Sequence, residues 1–535
     1  GSLPEIAGTS YGGLSGLKSG ADGLKLRIYY STSATADTWY WYGTSWSSAA
    51  AKDLPVDFTA SASTLTWKYP PTGNDPPTIS THNQVYKISI AGFDLADNAE
   101  TALEISETSD LNKPVITIST PMAGADAFYG PARAIDPVVG RSADAPSGIV
   151  PPVKTQLSNI SEEGTTKPKW DGGAWAVVAS TWLITTGLDP WELPAPAWIN
   201  NKRYKVEMYA KDKAGNETVS DVKREFIYDV NKPSSTILVP GAQFHNKSQI
   251  TTLSGTAVDW VNFSATQAVS GIAPAGIEIQ ISDNPTYESG NSFDGTGFAA
   301  GSFWRPVKIT FTDKAADSVL GVDINKIADW NYPDADSWPP SLTEGTTYYA
   351  RVRSKDRSMN LEGYVEKQFC YDNSAPTSTI TMPGNFAYTP LPHIEGAVAE
   401  LVSKLKSGDG VQAAVYWPAE DQYWNGTGWS AAGTFTAADN WLNATSIDGS
   451  TWTYKNTDLE NEFKTIPAAR KYRALVRAQD VVINANRPDT KPTSGGVDFT
   501  IDRFAPVSKS TYPAVGSGPV VYLNAAINNL AGTAA

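Results

Sequence analysis

The stretch Tyr204-Lys-Val-Glu-Met-Tyr-Ala-Lys-Asp-Lys-Ala-Gly-Asn216 decides how this chain folds. From Tyr204 to Asp212 one face carries mostly apolar side chains and the other mostly charged ones, which predicts a half-buried β-strand. The next residues predict a turn, because an Asp side chain can accept backbone N–H groups while Gly and Asn tolerate positive φ. The stretch therefore predicts a strand that runs into the turn of a hairpin.

This pattern occurs four times in the same order, which indicates a tandem array. In each copy a Tyr is followed eight positions later by an Asp and four positions after that by an Asn, and an Asp-x-x-x-Pro comes next. The copies lie roughly 115 to 140 residues apart. They are Tyr86/Asp94/Asn98 with Asp110/Pro114, Tyr204/Asp212/Asn216 with Asp229/Pro233, Tyr348/Asp356/Asn360 with Asp372/Pro376, and Tyr472/Asp480/Asn484 with Asp502/Pro506.

The segments after each turn predict further short strands. An aromatic strand such as Phe226-Ile-Tyr-Asp229 returns from the turn, and a Pro-started segment such as Pro233-Ser-Ser-Thr-Ile-Leu-Val-Pro240 follows it. Since Pro cannot donate to a ladder, this segment is predicted to be the opening edge strand of the next domain. A strand ending in Gly, such as Ile250-Thr-Thr-Leu-Ser-Gly255, comes next. Several short antiparallel strands per unit predict a β-sandwich.

The motif Ala-x-Asp-x-Ala-Gly-Asn, followed by an aromatic strand and Asp-x-x-x-Pro, resembles the bacterial immunoglobulin-like and fibronectin-type-III-like repeats of large extracellular surface proteins. The resemblance implies an all-β fold: a tandem array of four immunoglobulin-like β-sandwich domains in an elongated rod, with the first and last units incomplete. The expected divisions are 1–112 (lacking its opening strand), 113–231, 232–374 (with an insertion), 375–504, and 505–535 as the opening strands of a fifth repeat.

Composition narrows the classes of function. The net charge of −14 argues against nucleic acid or an anionic membrane surface as a partner, because both attract basic patches. Cys370 is the only cysteine, so an intrachain disulfide is excluded, and with three His a zinc site is disfavoured. No apolar stretch approaches the length of a membrane span, and no signal peptide is expected in this segment.

Aromatic pairs flank a predicted tight turn in every repeat, and they have two interpretations. The structural one is that the two rings face each other across a hairpin. The other is a sugar-stacking platform, with carbohydrate or surface glycans as ligand. The candidate carbohydrate-binding residues are Trp41, Trp46, Trp170, Trp175, Trp424 and Trp429, and repeat three has Phe293 and Phe298 in the same places.

The junction sequences Asp110-Leu-Asn112-Lys-Pro114 and Asp229-Val-Asn231-Lys-Pro233 are similar to the calcium-binding junctions of cadherins. Oxygen ligands from two domains would then hold the ion. The competing interpretation is that Asp caps a turn and Pro begins an edge strand. No cofactor is otherwise expected, and no residue set is assigned to a metal.

Catalysis finds little support in the sequence, so no enzyme and no catalytic residue is predicted. No Gly-x-Ser-x-Gly, phosphate loop or His-Glu-x-x-His is present, and His82, His245 and His393 fall at unrelated repeat positions. The insertion of repeat three, from Asp313 to Trp330, has the best helical pattern in the chain.

The expected function is therefore that of a bacterial extracellular or cell-surface structural element: a stalk, a filament or a fibre segment of the envelope. The alternative is a carbohydrate-binding module or adhesin that uses the aromatic hairpins. Expected partners are neighbouring repeats of the same protein or like subunits head to tail. In the second case the segment 505–535 would donate a strand to the first repeat of the next subunit.

Overall fold

The computed structural model confirms the all-β prediction and places the strands in consecutive two-sheet sandwiches. The structure describes residues 3, 5–12, 15–18, 22–32, 38–60, 64–73, 75–259, 267–286, 290–431, 436, 440–484, 495–512 and 531–534. Below, "repeat one" to "repeat four" denote the four copies that surround the Tyr…Asp…Asn motifs. No sheet among the described residues contains strands from two of these repeats.

Repeat one pairs a short sheet with a longer one. Its strands are Ile6–Tyr11 (β1), Leu24–Ser31 (β2), Thr38–Trp41 (β3), Trp46–Ser47 (β4), Asp57–Ala60 (β5), Thr64–Tyr69 (β6), Val85–Gly92 (β7) and Leu103–Thr108 (β8). The sheet orders are β1-β6-β5 and β4-β3-β2-β7-β8.

Repeat two has a fuller set of strands. They are Val115–Thr120 (β9), Phe128–Tyr129 (β10), Val138–Ala143 (β11), Ile149–Asn159 (β12), Pro168–Trp170 (β13), Trp175–Val177 (β14), Leu183–Ile184 (β15), Thr186–Gly187 (β16), Trp191–Leu193 (β17), Lys202–Asp212 (β18) and Glu217–Tyr228 (β19). One sheet runs β16-β17-β11-β9, and the other runs β10-β19-β18-β12-β13-β14 with β15 also paired to β12.

Repeat three repeats this arrangement. Its strands are Ser234–Val239 (β20), Phe244–His245 (β21), Leu253–Val258 (β22), Ile272–Ser282 (β23), Asn291–Phe293 (β24), Phe298–Ala300 (β25), Arg305–Pro306 (β26), Lys308–Asp317 (β27), Val322–Tyr332 (β28), Thr347–Asp356 (β29) and Val365–Tyr371 (β30). The sheets run β20-β22-β28-β27 and β21-β30-β29-β23-β24-β25, with β26 on β23.

Among the described residues, repeat four differs in having the α-helix Thr457–Thr465 (α1). Its strands are Thr377–Ser378 (β31), Ala387–Tyr388 (β32), Ile394–Ala399 (β33), Val411–Trp417 (β34), Gln422–Trp424 (β35), Trp429–Ala431 (β36), Leu442–Asn443 (β37), Ser446–Asp448 (β38), Thr451–Tyr454 (β39), Arg470–Ala478 (β40) and Val497–Ile501 (β41). The sheets run β31-β33-β39-β38 and β32-β41-β40-β34-β35-β36, with β37 on β34. Two further strands, Ser508–Tyr512 (β42) and Ala531–Ala534 (β43), pair with each other.

The strand order of repeats two to four is that of an immunoglobulin-type sandwich. One sheet has the order of the A, B, E and D strands, and the other has the order of the G, F and C strands. A short strand also runs parallel to the last long one, as Phe128–Tyr129 does beside Ile227–Tyr228. The repeats are therefore immunoglobulin-like and fibronectin-like sandwiches in tandem, as the motif predicted.

Each core is built around a tryptophan that packs on a glycine. Gly255 lies in β22, and a Cβ atom added there would stand 2.6 Å from the ring of Trp330 in β28. Gly8 and Trp67 have the same relation in repeat one. A larger residue at these glycines would displace the indole, which explains why the predicted strand keeps a Gly at this point.

The Tyr of the recurring motif lies in the core in every repeat. In repeats two and three its hydroxyl also bonds to the backbone five residues upstream: Ile199 N to Tyr204 Oη at 2.7 Å and Thr343 N to Tyr348 Oη at 2.9 Å. This is the tyrosine corner of immunoglobulin domains. In repeat four helix α1 occupies the same connection, and among the described residues no backbone group bonds to the buried hydroxyl of Tyr472.

The predicted helix between Asp313 and Trp330 is wrong. This segment forms the ends of β27 and β28, joined by the turn around Leu320 and Gly321. Strand geometry prevails because Ala328, Trp330 and Tyr332 alternate into the core with period two, a pattern that no helix provides.

Candidate functional site

Three clusters of carboxylates lie where one repeat meets the next. Cluster one is Asp110, Asp144 and Asp212; cluster two is Asp229, Asp259 and Asp356; cluster three is Asp372, Glu400 and Asp480. Within each cluster one carboxylate oxygen from every residue lies within 4.8 Å of the others. The first residue of each cluster comes from one repeat and the other two from the following repeat, so these are junction clusters.

Equivalent elements supply the three residues each time. The first is the Asp of Asp-x-x-x-Pro, at the end of one repeat, and the third is the Asp of the Tyr…Asp…Asn motif. The second acid directly follows the strand that carries the core glycine: Asp144 after β11, Asp259 after β22 and Glu400 after β33. Sequence analysis missed this second acid. The signal was present, because in all three repeats it stands four residues after the glycine.

The turn after the motif Asp does more than form a hairpin. In repeat three the Asn360 backbone N–H donates to Asp356 Oδ1 at 2.8 Å, and its side-chain Nδ2 donates to Asp356 Oδ2 at 2.7 Å. The same Nδ2 also donates to the backbone carbonyl of Asp229, in the preceding repeat, at 2.9 Å.

The other junctions have this bond too. Asn216 Nδ2 lies 3.0 Å from the carbonyl oxygen of Asp110, and Asn484 Nδ2 lies 2.9 Å from that of Asp372. In repeats two to four the motif Asn is therefore an inter-repeat clasp, whereas the sequence predicted only a role in forming the turn. The term "Asn clasp" is used below for this side chain and its bond to the preceding repeat.

Cluster two is the most deeply buried of the three. Burial, together with the charges of Asp229 and Asp356, raises the pKa of Asp259 to about 8. Burial likewise raises the pKa of Asp356 to about 7, and it raises the pKa of Asp229. Three carboxyl groups in one apolar site cannot all hold an uncompensated negative charge, because burial and mutual repulsion both disfavour the ionised form.

Cluster three shows the same effect with fewer hydrogen-bond donors. Burial, with further contributions from Glu344, Glu400 and Asp480, raises the pKa of Asp372 to about 6. Burial also raises the pKa of Asp480. The carboxylate atoms Asp372 Oδ2 and Asp480 Oδ2 are buried, and no group in the described part of the chain donates a hydrogen bond to them.

Cluster one accepts as many hydrogen bonds as cluster two. Ser147 donates its backbone N–H to Asp110 Oδ2 and its hydroxyl to Asp144 Oδ2, both at 3.1 Å. The pKa of Asp110 is lowered, because hydrogen bonds from Ser147 and Asn112 outweigh the effect of burial, whereas burial raises the pKa of Asp144. His82 Nδ1 lies 3.3 Å from Asp110 Oδ1 and accepts the Leu111 N–H.

Among the described residues, repeat one has the turn without the cluster. Asp94 accepts the Asn98 backbone N–H and side-chain amide as in the other repeats, and it also accepts the Ala96 N–H at 2.8 Å and the Ser15 hydroxyl at 2.7 Å. Four residues after its core glycine stands Gly12 in place of an acid. Repeat one thus provides a natural comparison for the three clusters.

The predicted junction motif has the capping geometry that we expected as one of two interpretations. The Asn112 N–H donates to Asp110 Oδ1 at 3.1 Å, and the Asn231 N–H donates to Asp229 Oδ1 at 3.0 Å. Strands β9 and β20 then begin directly after Pro114 and Pro233. The capping role is compatible with calcium binding, because the same Asp side chains also belong to the clusters.

The aromatic pairs face each other across hairpins, as the structural interpretation predicted. Trp41 pairs with Trp46, Trp170 with Trp175, Phe293 with Phe298 and Trp424 with Trp429, with ring centroids 5.4 to 6.0 Å apart.

The second ring of each pair also packs against the motif Tyr of its own repeat. Trp429, for example, stacks on Tyr472 with centroids 5.4 Å apart and planes 12° apart. Trp41 and Trp424 are buried, whereas Trp170 and Trp175 are half-buried and keep part of their surface in solvent. Carbohydrate binding by these residues stays a prediction.

Comparison with known proteins yields structural likeness only. No protein-family model and no curated protein matches the sequence. A bacterial ice-binding adhesin of 1.5 MDa aligns over 73% of this chain and 96% of its own, with 12% identity and a TM-score of 0.27. Chicken CNTN1 fibronectin domains align over 73% and 99%, with 11% identity and a TM-score of 0.23.

The fibronectin(III)-like modules of Clostridium thermocellum CbhA align over 48% of this chain and 94% of theirs, with 13% identity and a TM-score of 0.22. Because these scores are low, the immunoglobulin-like assignment rests on the strand order and register given above. No helix in the described residues has the length and apolarity that crossing a membrane requires.

Proposed function

We propose that this chain is a non-enzymatic segment of a bacterial extracellular protein, in which tandem sandwiches form a stalk, filament or envelope fibre. The observation that carries the proposal is the Asn clasp, which recurs at all three junctions at 2.9 to 3.0 Å. A clasp that recurs in repeats two, three and four supports a role in holding successive repeats in a fixed relation. The expected partners are neighbouring repeats, or like subunits arranged head to tail.

The junctions contain too little free chain to act as flexible tethers. From Asp229, whose carbonyl accepts the bond from Asn360, only a few residues separate repeat two from the first strand of repeat three, and Pro233 stiffens them. Loosely linked beads would need a longer and less ordered connection.

Small-angle X-ray scattering of the purified chain tests the proposal. Strands of about ten residues that rise about 3.4 Å each give a length on the order of 150 Å for four domains end to end. We expect a pair-distance distribution with a long tail to that order of length. A bell-shaped distribution typical of a globule would contradict the proposal. A variant with a Gly-Ser dipeptide inserted after Asn231 is the control for a loosened junction.

Carbohydrate binding is the second candidate, and the exposure of Trp170 and Trp175 favours repeat two as its location. We expect a glycan array to detect binding by the parent chain and Trp170→Ala to abolish it. Trp41→Ala is a less informative variant, because Trp41 is buried. The melting temperature of the Trp170→Ala variant must stay near that of the parent. The absence of any bound glycan would leave the structural function alone.

A further inference from the structure

The third junction cluster contains two buried oxygens that the protein leaves without a partner. Asp372 and Asp480 are fully buried, and Oδ2 of each accepts no hydrogen bond from the residues that the structure describes. At the other junctions the corresponding oxygen of the first Asp is satisfied: Ser147 N donates to Asp110 Oδ2 at 3.1 Å, and Ser270 N donates to Asp229 Oδ2 at 2.8 Å. The Ser403 hydroxyl lies near enough to Asp372 to act on its pKa, but among the described residues no group donates a hydrogen bond to Oδ2 of Asp372 or of Asp480, so a partner from outside the chain can occupy this place.

The electrostatics of the cluster define what that partner must be. Oxygens of Asp372, Glu400 and Asp480 lie within 4.8 Å of one another, so three formal negative charges meet at one point. A buried carboxylate oxygen that lacks a hydrogen bond or a counter-charge is strongly disfavoured. A cation that several of these oxygens coordinate would remove both penalties together.

We propose that cluster three binds a calcium ion through Asp372, Glu400 and Asp480. All the candidate ligand atoms are carboxylate oxygens, the hard ligands that Ca²⁺ prefers, and none is a sulfur or an imidazole of the kind that select zinc or copper. Oxygens within 4.8 Å of one another can converge on one ion at the usual Ca²⁺–oxygen distance of about 2.3 to 2.6 Å.

Calcium at this place would act across the junction. Asp372 ends repeat three, whereas Glu400 and Asp480 follow β33 and β40 of repeat four. One ion thus connects three backbone segments from two repeats, directly beside the Asn484 clasp. This goes beyond the proposed structural role, because it makes the relation between successive repeats depend on the calcium concentration.

Calcium binding to the full chain tests the inference. The protein is stripped with chelator and exchanged into metal-free buffer, and CaCl₂ is then titrated calorimetrically while bound metal is counted by mass spectrometry. We expect at least one ion per parent chain. Asp480→Asn and Glu400→Gln should each bind one ion fewer, and Glu400 is half-buried, so its substitution leaves the core intact.

Asp94→Asn is the matched control, since Asp94 occupies the motif position of repeat one and belongs to no cluster. It should bind as many ions as the parent. Near-ultraviolet circular dichroism verifies that each variant is folded.

Several outcomes would overturn the inference. These are no binding at about 1 mM free Ca²⁺, the upper range for extracellular modules, binding of Mg²⁺ alone, or an unchanged ion count in both cluster-three variants. Loss of an ion in Asp94→Asn would also overturn it. A single ion that both Asp480→Asn and Glu400→Gln remove would support the inference.

Discussion

The junction between repeats two and three and the junction between repeats three and four share the same polar parts but differ in apolar packing. Both have an Asn clasp and a carboxylate cluster. At the first of these junctions the hairpin β27–β28 extends back onto repeat two, where Leu320 and Ile324 join the buried core of that repeat. The corresponding hairpin of repeat four, β38–β39, is short, and Ile447 within it is exposed.

The hairpin adds polar contacts to this packing. The guanidinium of Arg203, in β18 of repeat two, donates to both carboxylate oxygens of Asp317 at 2.7 and 3.1 Å. Arg357 of repeat three lies over the ring of Phe128 in repeat two, 5.4 Å from its centroid.

At the junction between repeats three and four, further hydrogen bonds connect the two repeats. Asn246 Nδ2 donates to the Val482 carbonyl at 2.7 Å and to Asn484 Oδ1 at 3.1 Å. The comparison indicates that the clasp and the cluster are the common connection, and that the insertion of repeat three stiffens one junction further by burying apolar surface.

The largest effect is expected for Leu320→Asp. A charge placed at the buried tip of the hairpin should destabilise the joined core of repeats two and three by about 2 to 4 kcal/mol. Differential scanning calorimetry should then show these two repeats unfolding at a lower temperature and in separate transitions. The control Ile447→Asp, at the short hairpin of repeat four, should change stability by no more than about 0.5 kcal/mol. Equal effects of the two substitutions would contradict the comparison.

An intermediate effect is expected when the Asn clasp is removed. Asn484→Ala takes away the bond to Asp372 and leaves that buried carbonyl without its donor, at a cost of about 1 to 2 kcal/mol in urea unfolding. Asn98→Ala in repeat one removes only a bond to the Asp94 carboxylate within its own turn, so its effect should be smaller. A larger loss in Asn98→Ala would show that the clasp contributes nothing beyond the turn.

The smallest effect is expected for the ion pair of the hairpin. A double-mutant cycle with Arg203→Met and Asp317→Asn should give a coupling energy of about 1 kcal/mol, because both side chains are largely buried and the contact is bidentate. The exposed pair Lys113–Asp221, treated in the same way, should give a coupling energy near zero. If the first coupling is as small as the second, the hairpin is held by apolar packing alone.

Much of the fold could be predicted from local patterns. Alternation around Tyr204 and the Gly-containing turn before Asn216 are short-range features, and they led to the correct strands and hairpins. The segment from Asp313 to Trp330 was wrongly predicted to be helical, because its acidic and small residues resemble a helical surface when only residues close in sequence are considered. The segment forms strands because its first residues pair with Val322 to Ile327 in the β27–β28 hairpin, and because its end also pairs with β22, which is distant in sequence and whose pairing local propensity does not encode.

The candidate site was only partly within reach of the sequence. Asp110 and Asp229 were recognised at the junctions, but their partners Asp144, Asp259 and Asp356 come from distant strand ends that the fold brings together. The spacing from the core glycine to the following acid would have indicated Asp144 and Asp259. Nothing local indicated that all three residues of a cluster share one buried point.

The sequence by itself determined the repeating unit, its strands and its turns, because alternation, glycine and proline act over a few residues. Only the tertiary structure decided that Asn216, Asn360 and Asn484 reach into the preceding repeat and that three acids converge at each junction. The physical reason is that burial and charge convergence are properties of space. Residues far apart along the chain become buried and come into contact with one another only once both repeats have folded.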